Sequence, residues 1–360
     1  MMLDDLAALV ECESPSADIE ATARCAKLCG EMAETRLGEK PEELTLGGRV
    51  HLRWRFGSAC RVVLIGHLDT VWPLGTLDRW PFRVDGDCAT GPGAFDMKAG
   101  VVQLFAALAM LDDLDGVTVV LTTDEELGSP TSRQMIEDSA RGAAAALVLE
   151  PSAGGALKIA RKGVSMYRVR VHGRAAHAGL EPERGVNATV ELAHQVIAAT
   201  ALARPDIGTT VTPTVVEGGT ATNTVPAEAT VAIDVRASTV AEQERVDASL
   251  RELALTLAVA GATIAIEGAP NRPPLEPSSS ANLFALAQEV AASRALDPLK
   301  GVAVGGGSDG NFTAAIGVPT LDGLGAVGDH AHAEGEWASV SAMPARAALV
   351  AGLVRRLLAG

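Results

Sequence analysis

Acidic residues and histidines recur in this chain where apolar runs end: His67 and Asp69, then Asp96, then Glu125 and Glu126, then Glu150, and finally His332. Imidazole nitrogen and carboxylate oxygen are the donors that hold cations of the zinc type. Such a cation lowers the pKa of a coordinated water to about 7, making it a nucleophile at neutral pH. The set reads as the ligands of a two-metal hydrolase. His67 and Asp69 are two apart, so on an extended strand end they face the same way, and the carboxylate can orient the imidazole or a neighbour. Asp96 follows Gly91-Pro92-Gly93-Ala94-Phe95 and precedes a helical stretch. It reads either as an N-cap, a position Asp favours, or as a ligand. Two adjacent carboxylates at the end of a buried strand, Glu125 and Glu126, are costly unless a cation is present; with one, a carboxylate can ligate while the other takes a proton from water. Glu150 ends an apolar run before Pro151 and reads as a ligand or as a charge reaching solvent. One dinuclear zinc centre accounts for all these donors together.

The runs that must position them define the fold class. Arg61 to Gly66 leads into His67, Val117 to Thr123 into Asp124, and Ala146 to Leu149 into Glu150. Short continuous apolar runs of this kind are strands buried on both faces. Between them, Val101, Leu104, Phe105, Leu108 and Leu111 recur at helical spacing within Met97 to Leu111. The alternation predicts an α/β fold around a mostly parallel sheet, with ligands bound beyond the carboxyl ends of its strands.

From about Gly163 the pattern changes. It reads strand (Val164 to Val171), helix (Gly185 to Ala203), strand (Thr210 to Glu217), strand (Ala227 to Arg236), helix (Thr239 to Val259) and strand (Thr263 to Glu267). That order is a ferredoxin-like α+β unit. The expected organisation is a catalytic domain in two parts, 1–162 and 271–360, with an inserted domain at 163–270. Pro270-Asn271-Arg272-Pro273-Pro274 and Pro277-Ser278-Ser279-Ser280 read as a return linker. A helix from Ala281 to Ala295, a glycine-rich loop at Gly305 to Gly310, a strand from Val318 to Leu321 and a helix from Pro344 to Leu358 follow.

A chain of 360 residues is comfortable for two domains of roughly 150 residues each. Its formal charge of −15, with no basic stripe, argues against a nucleic-acid partner or an anionic membrane surface. The five cysteines, Cys12, Cys25, Cys29, Cys60 and Cys88, form no Cys-x-x-Cys pair and read as free thiols in a reducing compartment. The start, Met1-Met2-Leu3-Asp4-Asp5, is acidic where a signal peptide is basic, and no apolar run approaches the roughly 20 residues of a membrane span. The expectation is a cytoplasmic enzyme.

Four segments carry a family resemblance: Gly66-His67-Leu68-Asp69-Thr70-Val71, Gly91-Pro92-Gly93-Ala94-Phe95-Asp96-Met97-Lys98, Asp124-Glu125-Glu126-Leu127-Gly128-Ser129 and Leu149-Glu150-Pro151. They resemble the successive motifs of the co-catalytic zinc peptidases, a family that includes glutamate carboxypeptidase, acetylornithine deacetylase and succinyl-diaminopimelate desuccinylase. The resemblance covers essentially the whole chain. It implies two Zn2+ per chain, with Co2+ or Mn2+ as substitutes, and Asp96 bridging them. His67 would hold one metal with Glu126 or with Glu150; the family pattern pairs His67 with Glu150, and Glu126 with His332. Asp69 would orient His67, and Glu125 would be the general base. His332 lies in a segment similar to the family's last ligand motif, with His330 standing where glycine is more usual.

The resemblance extends to the insert, which it implies is a lid and dimerisation domain. His177, in Gly173-Arg174-Ala175-Ala176-His177-Ala178-Gly179, resembles a lid histidine that reaches across a homodimer and stabilises the oxyanion. Asn223 and Arg236 match lid residues that grip a substrate carboxylate, and Arg272 resembles a further carboxylate-binding position of the glutamate carboxypeptidases. Gly306 lies in a loop whose backbone approaches substrate. The implied substrate is a small peptide or N-acyl amino acid. Glutamate carboxypeptidase-like cleavage is the first reading, with the Ser308 to Gly325 run leaning that way; deacylation of an N-acyl amino acid is the alternative.

Gly306-Gly307-Ser308-Asp309-Gly310 also satisfies Gly-x-Ser-x-Gly, so a serine hydrolase using Ser308, Asp322 or Asp329, and His332 is a competing reading. A scaffold that keeps the fold without turnover is a third.

Overall fold

The computed structural model describes residues 2–359. By its internal contacts the chain divides into two compact units, the first comprising the chain up to Arg161, Leu275–Val304 and Ser308 onward, the second Lys162–Pro274 with Gly305–Gly307. The divisions lie at Lys162 and Pro274 rather than at 163 and 270, and the tripeptide Gly305–Gly307 counts with the second unit.

In the first unit the strand Val62–His67 lies at the heart of a six-stranded sheet. It runs parallel to Val117–Thr122 on one side and Ala145–Val148 on the other, with His67 opposite Thr122 and Ile65 opposite Val148. Thr320–Leu321 extends this parallel set, while Arg49–Arg55 and Glu42–Leu46 close the other edge antiparallel. All three central strands are buried throughout. Alternation decides which face each residue serves. Val62 and Leu64 join the core beneath the helices Ala99–Leu108 and Met343–Ala359, and Val63 and Ile65 join that of Arg133–Ala140 and Phe312. The α/β fold expected from the apolar runs is therefore present, and parallel pairing in register brings three strand ends to one edge.

Two glycines allow the close packing there. A Cβ on Gly100 or on Gly325 would run into the Leu149 carbonyl, one residue before Glu150.

The second unit is a four-stranded antiparallel sheet in the order Thr210–Gly218, Glu228–Ala237, Gly163–His172, Thr263–Arg272. The helices Ala188–Thr200 and Val240–Leu253 supply Leu192, Val246 and Leu250 to a core with Val169, Val171, Val231 and Ile233.

Three local expectations are corrected. The helix expected over Met97 to Leu111 is an irregular turn at Ala94–Lys98 followed by a helix at Ala99–Leu108. Lys98, not Asp96, occupies the N-cap position, and Asp96 has non-helical φ/ψ. The Pro/Ser-rich segment is no linker. Pro270 lies within the strand Thr263–Arg272, which is at a sheet edge where a missing N–H is tolerated, and Pro277 starts the helix Pro277–Ser293, where proline's fixed φ suits the first turn.

Candidate metal centre

Three strand ends and two loops deliver the donors. His67 is the last residue of its strand and is buried; its backbone N–H donates to Met97 Sδ at 3.2 Å. Its Nδ1 donates to the Asp69 carbonyl oxygen at 2.9 Å, which leaves the Nε2 lone pair available to a cation. That nitrogen lies 3.4 Å from Asp96 Oδ1 and 3.5 Å from Glu150 Oε1. The other Asp96 oxygen, Oδ2, lies 3.4 Å from His332 Nε2, which is 3.0 Å from Glu126 Oε1. One carboxylate thus faces two histidines, each with a second carboxylate of its own. Oxygens of Glu125 and Glu150 lie with a His67 nitrogen, all within 4.8 Å of one another, and so do those of Asp96 and Glu126.

The electrostatics show what this arrangement needs. Burial lowers the pKa of His67, but the neighbouring Asp96 and Glu150 carboxylates outweigh it and the net direction is well upward. Asp96 and Glu126 push His332 up to about 10. Burial raises the pKa of Asp96, and the two histidines more than reverse that. Both imidazoles are being asked to carry positive charge by carboxylates packed around them. His67 Nε2 and Asp96 Oδ1 are buried without a hydrogen-bond partner, although buried polar atoms are as a rule paired. Nitrogen and oxygen donors so arranged fit divalent cations of the zinc class.

A second layer holds the candidate ligands in place. Asp69 orients His67 through its backbone, and its buried carboxylate takes the amides of Glu125 and Glu126 at 3.2 Å each. Burial pushes its pKa up to about 6. The carboxylate of Asp124 takes the Thr131 N–H and O–H, both at 2.7 Å, and the Ser132 hydroxyl, which ties down the loop carrying the two glutamates. Glu150 meets the buried Arg161 guanidinium at 3.0 Å, and Arg161 also forks onto Asp322 at 2.7 and 2.8 Å. Burial and the charge of Asp96 raise the Glu150 pKa, but Arg161, His67 and Lys158 bring it down to about 2.

Glu336 was given no role by its sequence context. It is fully buried; Oε1 accepts the Phe95 and Asp96 N–H groups at 2.8 Å each, and Oε2 accepts Trp72 Nε1 at 2.9 Å and the Gly93 N–H at 3.2 Å. It therefore folds the loop that presents Asp96. The glycines of that loop and the His332 segment were signals; a periodic pattern was not.

The serine-hydrolase reading fails. Ser308 is fully buried and its hydroxyl donates to Asp322 at 2.6 Å, while Asp322 is held by Arg161 and His332 faces Asp96 and Glu126. No nucleophile–base pair is formed by these residues.

In the second unit, the segments bearing His177 and Asn223 are joined: Ala178 N–H donates to the Asn223 carbonyl at 2.8 Å. His177 Nδ1 accepts the Gly179 and Leu180 amides at 3.1 Å, leaving Nε2 to face outward as a donor. Arg236 and Arg272 sit opposite Val164 on its two flanking strands, which places both at one level of the sheet. The Arg236 fork holds Asp234 at 2.8 Å through two nitrogens. Gly306 is exposed in the glycine-rich loop, and His330 is exposed with φ of 65°.

A parallel-stranded α/β body with two histidines and four carboxylates gathered at its strand ends and adjoining loops defines a metal-dependent hydrolase. The sequence model of Peptidase family M20/M25/M40 matches residues 63–356, and the chain belongs to this family. Carboxypeptidase G2 of Pseudomonas sp. strain RS-16 is 30% identical over 374 residues, covering 100% of this chain and 90% of the relative. Succinyl-diaminopimelate desuccinylase of Wolinella succinogenes is 28% identical over 303 residues, covering 77% and 79%. The M20 family metallo-carboxypeptidase Sso-CP2 from Sulfolobus solfataricus has the same fold, with a TM-score of 0.79 at 16% identity over 99% of both chains. The chain is accordingly a metallopeptidase or amidohydrolase of that family. Among the described residues no helix is long and apolar enough to cross a membrane.

Proposed function

We propose that this enzyme uses two zinc ions to hydrolyse an amide bond beside a free carboxylate, in the manner of a glutamate carboxypeptidase. The observation that carries the reading is the Asp96 carboxylate, whose two oxygens lie 3.4 Å from two different histidines. His67 and Glu150 would hold one cation, Glu126 and His332 the other, with Asp96 between. When bound, the cations supply an acidified water and polarise the scissile carbonyl.

The protein's own groups do the rest. Glu125 takes the proton from the attacking water and delivers it to the leaving amine, a role for which its carboxylate stands beside His67 and Glu150. Asp69 keeps that glutamate in place by binding its amide. His177 Nε2 donates to the oxyanion as it develops. Arg236, Arg272 and Asn223 receive the free carboxylate, for which the arginine forks are suited, and the backbone at Gly306 closes on substrate. The cytoplasm is the expected location. A homodimer through the second unit is supported by its edge strand, with Val215 and Val216 exposed, and by Val190 and Ile197 exposed on one helix.

The likeness to a desuccinylase keeps deacylation of an N-acyl amino acid as the second reading. Metal content by plasma emission spectrometry, with amino-acid release from dipeptides and N-acyl-glutamates before and after chelation, tests the proposal. Two zincs per chain and chelator-sensitive release are expected; metal-free protein with undiminished release would overturn it.

A further inference from the structure

Beside the metal centre the first unit has a cavity of about 850 Å3, and Glu126 is part of its wall. The wall is built by pairing Ser14–Ser16 to the segment just after Asp69: Thr70 N–H donates to the Ser14 carbonyl at 2.8 Å and Ser16 N–H to the Thr70 carbonyl at 3.0 Å. Four large apolar side chains that line it, Ile19, Val71, Leu74 and Leu127, are between 43% and 50% exposed. Exposed apolar side chains gathered around one concavity mark a binding surface rather than scattered surface residues. The charged groups in the lining are Asp18, Glu20 and Glu126, and among the described residues lining it there is no Lys, Arg or His. Asp18 accepts the Ala21 N–H at 2.9 Å, so the helix end beside the cavity is already capped by an anion.

We infer that this cavity is the subsite for the acyl side of the scissile bond, and that it selects a neutral apolar or cationic acyl group against an anionic one such as succinyl. The inference rests on the proposed hydrolysis, and it divides the two readings of that activity. Away from the metal ligand Glu126, a free carboxylate has no Lys, Arg or His to meet in this lining and would face Asp18 and Glu20, so the amino acid that bears it is assigned to the other side of the metals. What remains for the cavity is the acyl or peptidyl portion, and its apolar wall sets the preference.

The test uses N-hexanoyl-, N-acetyl- and N-succinyl-glutamate, each measured by calorimetric binding and by glutamate release. The hexanoyl compound should bind at least tenfold more tightly than the acetyl one, in line with the roughly 10- to 200-fold that a methylene in an apolar pocket confers; the succinyl compound should bind more weakly than either. Ile19→Ser with Leu74→Ser, both at exposed positions, should erase the hexanoyl advantage over acetyl with the thermal midpoint unchanged. Glu20→Lys should strengthen succinyl binding. Succinyl binding equal to or above hexanoyl in the wild type would overturn the inference, as would a hexanoyl advantage that survives the double substitution. Absence of glutamate release from every compound, with the binding order intact, would sink the hydrolysis reading and leave the subsite standing.

Discussion

Replacing Glu336 by glutamine is the most demanding test of how the centre is held. Each Glu336 oxygen accepts two donors, Phe95 and Asp96 N–H on one and Trp72 Nε1 and Gly93 N–H on the other. A glutamine has one acceptor oxygen and one NH2, so either orientation sets the NH2 against two donors. No flip repairs this, because both sides are donor pairs. An unsatisfied buried donor costs about 1–3 kcal/mol, so the two together should destabilise the first unit by about 2–6 kcal/mol. The loop that presents Asp96 should loosen, and zinc affinity should fall by roughly 10- to 100-fold, the usual consequence of losing a residue that orients a ligand. Chemical unfolding read from tryptophan emission and zinc titration of the stripped protein measure the two effects. Glu334→Gln is the control, since Glu334 is an exposed partner of Arg79 at 3.1 Å, and such pairs contribute about 0–1 kcal/mol. If Glu336→Gln behaved like Glu334→Gln in both assays, the carboxylate would not be organising the loop and the reasoning would be wrong.

Three further outcomes are expected. Glu125→Ala should keep its metal and lose turnover by about 100- to 10,000-fold, whereas Glu126→Ala should lose metal as well; metal analysis with kinetics separates them, and full activity in the first variant would remove Glu125 from its role. Ser308→Ala should be destabilised by about 1–3 kcal/mol through its lost bond to Asp322, yet turn over substrate, where deletion of a true nucleophile costs on the order of a million-fold. In the second unit, hydrogen bonds from Arg245 and Thr209 hold the Glu242 pKa at about 2 against an ordinary 4.5, so its contribution to stability is complete above pH 4.5 and is lost as pH falls toward about 2. Unfolding measured against pH should find Glu242→Gln less stable than wild type above pH 4.5, with the gap closing toward about pH 2; a gap independent of pH would mean that packing, not charge, is responsible.

The sheet was legible because its central strands are buried on both faces, which turns Val62–His67 and Val117–Thr122 into unbroken apolar runs. The antiparallel strand Arg49–Arg55 was not, since Arg49 and His51 are polar and yet buried, and this masks its period. The candidate ligands were legible as residue types at strand ends. Their supports were hidden for a physical reason: Asp69 orients His67 by a backbone carbonyl, and Arg161 reaches Asp322 across 161 positions of sequence. Neither contact leaves a local pattern. Asp96 as a cap and Pro270 as a linker residue were sound by local preference, and both were overridden by tertiary demands, loop folding on Glu336 in one case and an available sheet edge in the other.

Charge explains why the inner and outer layers differ. The outer carboxylates are satisfied by the protein itself: Asp69 by two amides, Glu336 by three amides and an indole, Asp124 by an amide and two hydroxyls, and Asp322 by Arg161. The inner ones, Asp96, Glu125, Glu126 and Glu150, gather around two imidazoles, and Glu150 has Arg161 at 3.0 Å and Lys158 at 3.9 Å beside it. Arg161 is shared with Asp322, and Asp96 and Glu126 face the two histidines, so they carry charge that neutral imidazoles cannot offset. Protonating both histidines would answer part of it, which is the direction in which their pKa values are driven, but would leave the ring nitrogens unable to ligate. Two divalent cations would answer it while keeping both imidazoles neutral. Zinc binding should therefore release protons, and the number released per chain should fall as pH passes about 10, where His332 gives up its own proton. Calorimetric titration in buffers of different ionisation enthalpy counts those protons; a count near zero at neutral pH would mean that the carboxylates are balanced some other way.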